Sequence, residues 1–498
     1  MEDLILAVDV GTTNIKAGVI DTNGKILRTL RKELVVEEDE TGKAEHNPQK
    51  LLDAFLSICR EAVAGYEKWI SYIVISSYQF GLLPLDEKLQ PLTGIITLLD
   101  LRPRETFNEL SRRIDIQEFY KRTGAPPLFI SPLSKIYWLK KKRREIFEKT
   151  RYFLSSKDYL LLNLLGELYT EPSSSSATQL MNINSLEWDS YSLSILGISE
   201  SNLPQIVPSE KVIGKLSDSI KRILGLKRDV YLIPGVYDGG AVGLGIGGME
   251  DSVGVINIGT TAMLRVAYPQ PIIDKDKSMR FQAYFLCSNR WFVGGAINNA
   301  GIILKWFRDN IFELPYEELT SLAEKVNSKN LFFLPFITGE RYPEIGNIAS
   351  GVVWGLRSFH TRNHLIRAGM EGVAFTLRMA YDALKENGVE IEKFRAGGGG
   401  TRSPLWMQIF SSIFNKPIEV TECEEPALLG SALLALYAIK RYESLQEATK
   451  DIVKLKETYI PAEGLRVEYE KSYEFFKFLV KNLRKAFKKH SHFERRYG

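Results

Sequence analysis

Near the N-terminus a carboxylate stands two residues before a Gly-Thr-Thr run, in Leu6-Ala7-Val8-Asp9-Val10-Gly11-Thr12-Thr13. The run returns as Val255-Ile256-Asn257-Ile258-Gly259-Thr260-Thr261, about half of the 498-residue chain further on. In both copies a β-branched, apolar stretch feeds the turn and a mostly apolar stretch leaves it, which predicts a strand, a tight turn and a returning strand. Glycine lets backbone approach a ligand, and the hydroxyls with the turn N–H groups can face an anion. Asp9, set among apolar residues, would cost several kcal/mol to bury unless paired or bound to a metal. An Asp beside a phosphate turn is what a hydrated Mg²⁺ requires. Neutral Asn257 occupies the same place in the second copy, so one metal site is the simplest reading. A lone Gly-Thr-Thr hairpin is common turn chemistry; its recurrence and Asp9 favour a phosphate site.

Three further groups could carry chemistry. Asp238 follows the apolar run Val230-Tyr231-Leu232-Ile233 in Gly235-Val236-Tyr237-Asp238-Gly239-Gly240. Asp-Gly alone is turn-forming, but the crowded glycines admit a ligand and the small residues from Ala241 to Ile246 predict a helix starting beside the carboxylate. Gly397-Gly398-Gly399-Gly400-Thr401-Arg402-Ser403-Pro404 places four glycines before an N-cap serine and a first-turn proline, which gives a ligand close access to backbone at a fixed helix end. No Gly-Lys-Ser/Thr follows, so this is not the lysine-bearing phosphate loop. Asp100 ends the apolar run Ile95-Ile96-Thr97-Leu98-Leu99 and precedes a charged segment; helix capping is its plain alternative. The histidines His46, His360, His364, His490 and His492 have no metal-binding or nucleophile-activating spacing.

Positioning these residues needs strands and helices in both halves. Asp21-Thr22-Asn23-Gly24 turns the chain into a third antiparallel strand. Pro48 to Gly65 predicts a helix and Tyr72 to Ser76 a buried strand. A helix-rich section spans about Asp100 to Ser199, with Ser173 to Ser176 a short polar loop. Strand, Gly-rich turn and apolar helix return from Val230, and the domain boundary is placed near Gly248. Tyr473, Phe476, Val480, Leu483 and Phe487 recur at helical spacing in the Lys/Arg-rich end, so an amphipathic terminal helix is expected there. The alternation defines an α/β class.

Composition narrows the remaining classes. A hydrophobic content of 44% and a charged content of 25% are those of a soluble globular protein. A net charge of +4 is too small over this length to argue for nucleic acid. Cys59, Cys287 and Cys423 are too few and too scattered for a disulfide framework or zinc knuckle. With no leader pattern and no membrane-length apolar run, a cytoplasmic protein without membrane partners is expected.

Taken together, these motifs resemble the FGGY family of carbohydrate kinases over nearly the whole chain. The resemblance implies two ribonuclease-H-like domains of the actin and hexokinase type, residues 1–248 and 249–498, with ATP and sugar in the cleft between them. Asp9 through Lys16 looks like the family's first phosphate motif and Gly259-Thr260-Thr261 like its second. Gly235 to Asp238 matches the catalytic motif, whose Asp takes the proton from the sugar hydroxyl. Gly398 to Ser403, with Glu425 to Ala432, is similar to the adenosine motif. Pro132 to Leu139, and Gly351 to Leu356 through Glu371, nearly match the two family signatures. The implied roles are therefore Asp238 as base, Asp9 for Mg²⁺, and Gly11, Thr12, Thr13, Lys16, Gly259, Thr260, Thr261, Gly398, Gly399, Gly400 and Thr401 for ATP. Gln79, Phe80, Asp100, Arg102, Asp238 and Asn298 would meet the sugar.

Within the family, Gly294 to Gly301 followed by Leu304 to Asp309 looks like a stretch typical of the gluconate kinases. Gly339-Glu340-Arg341-Tyr342-Pro343 also fits, though xylulokinases share a similar string. Tyr78-Gln79-Phe80 stands where Gln-Met-His or similar is usual, and Leu98 where an aromatic lies two residues before the sugar-binding Asp. Both departures fall where substrate is read. D-gluconate, phosphorylated on its 6-hydroxyl, is the expected acceptor, with Arg102 pairing to its carboxylate. The alternatives are a xylulokinase-like pentulose kinase, an actin-like ATPase that has no need of Asp238, and a catalytically silent sensor. A homodimer is left open.

Overall fold

The computed structural model describes residues 3–497. Leu4–Val10, buried along almost its whole length, is the middle of a six-stranded sheet. Asn14–Ile20 returns antiparallel to it, with Asp9 opposite Lys16 and Val10 opposite Ile15, and Ile26–Glu33 adds the third strand. On the other side Ile70–Ser77 and then Tyr231–Ile233 run parallel to the first strand, and Gly214–Lys215 closes that edge.

The second half repeats the plan. Val253–Ile258 and Ala262–Tyr268 form the hairpin, and Arg290–Ile297 is the third antiparallel strand. Lys393–Gly397 and Ile418–Thr421 lie parallel on the far side of Val253–Ile258. Gln282–Cys287 and Leu455–Tyr459 extend the edges to seven strands. In each sheet three neighbouring antiparallel strands are joined by two parallel strands beside the first, the ribonuclease-H-like plan that the family resemblance implies.

Two helices knit the halves together. Asp238–Gly245 and Pro426–Ala438 touch backbone to backbone: a Cβ on Gly245 would stand 1.8 Å from the Pro426 carbonyl oxygen, and one on Gly430 would stand 1.9 Å from that of Ala241. Pro426–Ala438 is apolar on nearly every side because it is covered twice. Leu428, Ala432 and Leu436 pack on Ile5, Ala7 and Val74 of the first sheet, and Leu429, Leu433 and Leu434 pack with Ala241, Leu244 and Val255. The larger core of the second half gathers around the long helix Arg362–Glu386. The terminal helix Arg466–Tyr497 buries Tyr473, Phe476, Val480 and Phe487 against that core, with Leu483 partly covered, at the expected spacing.

Three local expectations are corrected. Ser173 to Ser176 are not a polar loop but part of the short helix Pro172–Ser176, whose Ser173, Ser175 and Ser176 are buried. Glu171 caps it, accepting from the N–H groups of Ser173 at 2.6 Å and Ser174 at 2.9 Å. The helix at the catalytic motif begins at Asp238 itself, not after the glycines. Asp100 caps no helix: Arg104–Ser111 starts at Pro103, and the strand before Asp100 is only Ile95–Ile96.

Candidate active site

Asp238 reaches the cleft because the chain turns sharply at Gly235. That residue has φ +74, and a Cβ there would meet the Ile75 carbonyl oxygen at 2.2 Å, so only glycine fits. A parallel bridge between Ser77 and Tyr237 then sets Asp238 at the carboxyl end of the first sheet, close to Asp9. The Gly239 N–H donates to Asp238 Oδ1 at 2.7 Å. Burial, and next the negative charge of Asp9, push the Asp238 carboxyl up to about 7, while Arg265 and Lys157 pull the other way. A carboxylate tuned this close to neutrality can accept a proton without being protonated already.

Asp9 sits opposite Ser76, whose hydroxyl donates to its Oδ1 at 2.6 Å. Burial raises Asp9 as well, with Ser76 and Lys16 opposing. Two neighbouring carboxylates leave this end of the cleft short of positive charge. Among the described residues no three His, Cys, Asp or Glu side chains are grouped as a metal cage. A divalent ion that keeps most of its waters and arrives with phosphates suits that donor set.

Lys157, which belongs to none of the motifs above, lies against the turn that precedes Asp238. It is fully buried on Ser156–Leu165, donating to Glu171 Oε1 at 2.8 Å and to the Val236 carbonyl at 2.9 Å. Glu171 in turn receives the Ser209 hydroxyl at 2.8 Å. Ser156 and Asp158 beside Lys157 make the segment look like an ordinary polar helix start, so nothing in the sequence signals its burial. His46 is the second such residue. Its Nδ1 is 2.8 Å from the Tyr78 hydroxyl and its Nε2 2.9 Å from the Thr12 carbonyl, tying the first turn to the Tyr78-Gln79-Phe80 segment.

In the first half, Phe80 holds φ 68 and its carbonyl accepts from buried Lys135. Lys135 also donates to the Ile96 carbonyl at 3.0 Å, and burial lowers it to about 7. The Gln79 Nε2 amide is buried with no hydrogen-bond partner among the described residues, a donor available to a polar ligand. Arg102 departs from expectation. Its Nε and Nη2 bind Asp100, Nη2 also reaches Glu45 at 2.5 Å, and its guanidinium lies 4.7 Å above the Trp138 ring. Asp100 also accepts from the N–H groups of Ala44 and Arg102 at 3.0 Å. Glu45 is also paired with Lys43 at 3.6 Å; with its donors on Asp100 and Glu45, the Arg102 guanidinium has the geometry of a loop clasp.

Across the cleft, Asn298 and Asn299 join two stretches that the sequence left separate. Glu340 Oε1 accepts from Asn298 N at 2.8 Å, and Asn299 Nδ2 donates to the Gly339 carbonyl at 2.7 Å and to Glu340 at 3.1 Å. Arg341 Nε donates to Asn298 Oδ1 at 2.6 Å. The following helix Gly301–Trp306 abuts the second turn, with Gly301 N bonded to the Gly259 carbonyl at 2.9 Å.

Thr12 and Thr13 are at least partly exposed on the first turn, as Gly259 and Thr260 are on the second. A cavity of about 340 Å³ opens beside the second turn, lined by Gly259, Thr260, Tyr316, Gly399, Gly400, Ser403 and Trp406 among others. A Cβ on Gly400 would meet Ile258 at 2.4 Å, and Gly398 has φ +87, so glycine is required at both. Ser403 caps the Pro404–Phe414 helix as expected. Thr401 turns its hydroxyl to the Gly398 carbonyl at 2.8 Å. Lys16 is bonded to Glu425, just before the helix shared by the two halves.

Comparison with known proteins agrees with this geometry. The profile for the FGGY family of carbohydrate kinases, N-terminal domain, matches residues 4–245, and that for the C-terminal domain matches 254–439. The gluconokinase of Bacillus subtilis (strain 168) is 31% identical over 94% of both chains. The crystal structures of a gluconate kinase and of a ligand-bound xylulose kinase, both from Lactobacillus acidophilus, each superpose with a TM-score of 0.94 at 28% identity, covering 98% of this chain and 100% of theirs. The two family models between them span most of the chain, and the likeness to sugar kinases runs along nearly its whole length: the protein belongs to the FGGY family of carbohydrate kinases and is an ATP-dependent phosphotransferase acting on a sugar.

Proposed function

We propose that the acceptor is D-gluconate and the product 6-phospho-D-gluconate. The observation that carries this reading is the joined unit of Gly294 to Asp309 with Gly339 to Pro343. Both stretches resemble those of gluconate kinases, and Asn299 and Glu340 lock them into one wall of the cleft. The likeness to the Bacillus subtilis gluconokinase supports it. A pentulose acceptor is the second reading, supported by the equal likeness to the ligand-bound xylulose kinase.

In this reading residues 1–248 and 249–498 are the two domains, and ATP lies between them with its phosphates on Gly11 to Thr13 and Gly259 to Thr261. The adenosine occupies the cavity lined by Gly399, Gly400 and Tyr316. Asp238 accepts the proton of the attacking hydroxyl. Lys157 holds the Val236 carbonyl and so the placement of Asp238. Gln79 offers its free amide donor to the sugar. Asp9 would hold a hydrated Mg²⁺, which when bound supplies the charge neutralisation that phosphoryl transfer needs. Closure of the cleft excludes water, the competing acceptor. A coupled assay of ADP release across D-gluconate, D-xylulose, D-ribulose and glycerol tests the reading. D-gluconate should show the highest kcat/KM; a higher value for D-xylulose overturns it.

A further inference from the structure

The cations around the cleft divide into two kinds. Lys16, Lys157 and Arg102 each face a carboxylate, and Lys135 faces two backbone carbonyls. Arg265 and Arg341 are hydrogen-bonded to neutral oxygens instead. Arg265 Nη1 donates to the Tyr237 hydroxyl at 2.7 Å, and Arg341 Nε to Asn298 Oδ1 at 2.6 Å. Neither makes an ion pair among the described residues. Glu340, adjacent in sequence to Arg341, directs its carboxylate to the N–H groups of Asn298 and Tyr342 and to Asn299 Nδ2. Arg341 is exposed, and the charges of Arg265 and Glu340 act on it in opposite senses. The charges of Asp238 and Glu340 act on this pair, but no ion pair joins them to it among the described residues; two neighbouring guanidinia, each hydrogen-bonded to a neutral oxygen, keep donors for an anion.

The sheet register shows which anion. Arg265 pairs with Gly294, and two residues nearer the turn Met263 pairs with Ala296. Residues directly opposite in an antiparallel pair share a face, so small residues leave open the surface running from Arg265 toward Asn298. Arg265 Nη1 also lies 3.0 Å from where a Cβ on Gly239 would stand, beside Asp238. The phosphate turn at Gly259 to Thr261 is at the other end of this strand, about 13 Å of extended chain from Arg265. The group nearest Arg265 is therefore the acceptor rather than the nucleotide's triphosphate.

We propose that Arg265, backed by Arg341, recognises the carboxylate of a sugar-acid acceptor and sets the preference for acids over neutral sugars. This rests on the gluconate reading above and assigns to Arg265 the task that Arg102, bound by Asp100 and Glu45, is not free to perform.

The test measures kcat and KM for D-gluconate and D-xylulose, and KM for ATP, in the wild type and in Arg265→Met, Arg265→Lys and Arg341→Met. Arg265→Met should raise KM for D-gluconate about 10- to 150-fold, the scale of one hydrogen bond to a charged group, and shift KM for D-xylulose less than about threefold. Arg265→Lys should retain part of the preference and Arg341→Met should lose a smaller part of it. Equal losses on both acceptors, or a loss confined to ATP, overturn the assignment. If Arg265→Met melts too early to assay, Arg265→Lys and Arg341→Met decide: an intact acid preference in both overturns it. A wild type that prefers D-xylulose removes the gluconate reading and this inference together. A wild type that prefers D-gluconate, with the preference intact in Arg265→Met, removes only the inference.

Discussion

The two halves share a strand order and differ in one side chain at the same point of it. In the first, the hairpin strand carries Asp9, fastened by Ser76 and electrostatically coupled to Asp238. In the second, the equivalent strand carries Asn257, which lies against Gly398 at the edge of the glycine-lined cavity. A buried ion pair also fastens the chain at each end of the Asp238–Gly245 helix. Lys157 holds the Val236 carbonyl from a buried pair with Glu171, and Arg395 holds the Gly247 carbonyl from a buried pair with Glu419. A duplicated frame thus supplies two Gly-Thr-Thr turns, and the carboxylate is kept only in the half that also holds Asp238. The connections are specialised in the same sense: the first half's contain Gln79 and the Arg102 clasp, the second half's Asn298, Arg341 and Tyr316.

The largest expected break of this asymmetry is Asp238→Asn. It preserves size but cannot take a proton, so kcat should fall roughly 10²- to 10⁴-fold while calorimetry shows ATP binding retained. Turnover within a few-fold of wild type would remove Asp238 from the chemistry. Lys157→Met comes next. It leaves Glu171 buried without its cation, a loss of about 3–5 kcal/mol, read as a lower Tm and a lower denaturation midpoint; an unaltered melting curve contradicts the role of the pair.

Exchanging the two hairpin residues sharpens the comparison. Asp9→Asn should fold, since the second half already uses Asn there and Ser76 can still donate to the amide oxygen. Its half-saturating Mg²⁺ concentration should rise roughly 10- to 100-fold, as for loss of an outer-shell metal partner. An unchanged Mg²⁺ titration excludes Asp9 as the anchor. Asn257→Asp makes the opposite change, adding a negative charge near the second phosphate turn. KM for ATP should rise about tenfold, equivalent to about 1.4 kcal/mol; a lower KM would mean that the second turn also recruits the metal.

The mildest test varies pH alone. Asp238 works deprotonated, so kcat/KM should fall as pH drops through about 7. The same shift has a stability sign. The folded protein holds the Asp238 proton more tightly than the unfolded chain does, so this group destabilises the fold progressively as pH rises from the ordinary carboxylate range toward 7. Asp238→Asn should therefore melt above wild type at pH 8 by more than at pH 4. A gap that shrinks with rising pH contradicts the assignment of the raised group.

Local spacing alone determined much of this protein. Both hairpins, the Asp21-Thr22-Asn23-Gly24 turn, the Ser403-Pro404 helix start and the apolar stripe from Tyr473 to Phe487 follow from turn chemistry and periodicity, which act over a few residues. The tertiary structure decided what depends on distant partners. Ser173 to Ser176 became a buried helix because Glu171 caps it and Lys157, on another element, neutralises Glu171. Arg102 became a clasp because Glu45, far away in sequence, shares it with Asp100. Asp238 acquired its tuned carboxyl only when folding buried it beside Asp9. Pro426–Ala438, apolar all round, shows in sequence that it is buried but not that both halves bury it. Hydrophobic pattern and turn propensity are properties of neighbouring residues; charge balance and desolvation belong to the assembled surroundings, which no stretch of the chain contains by itself.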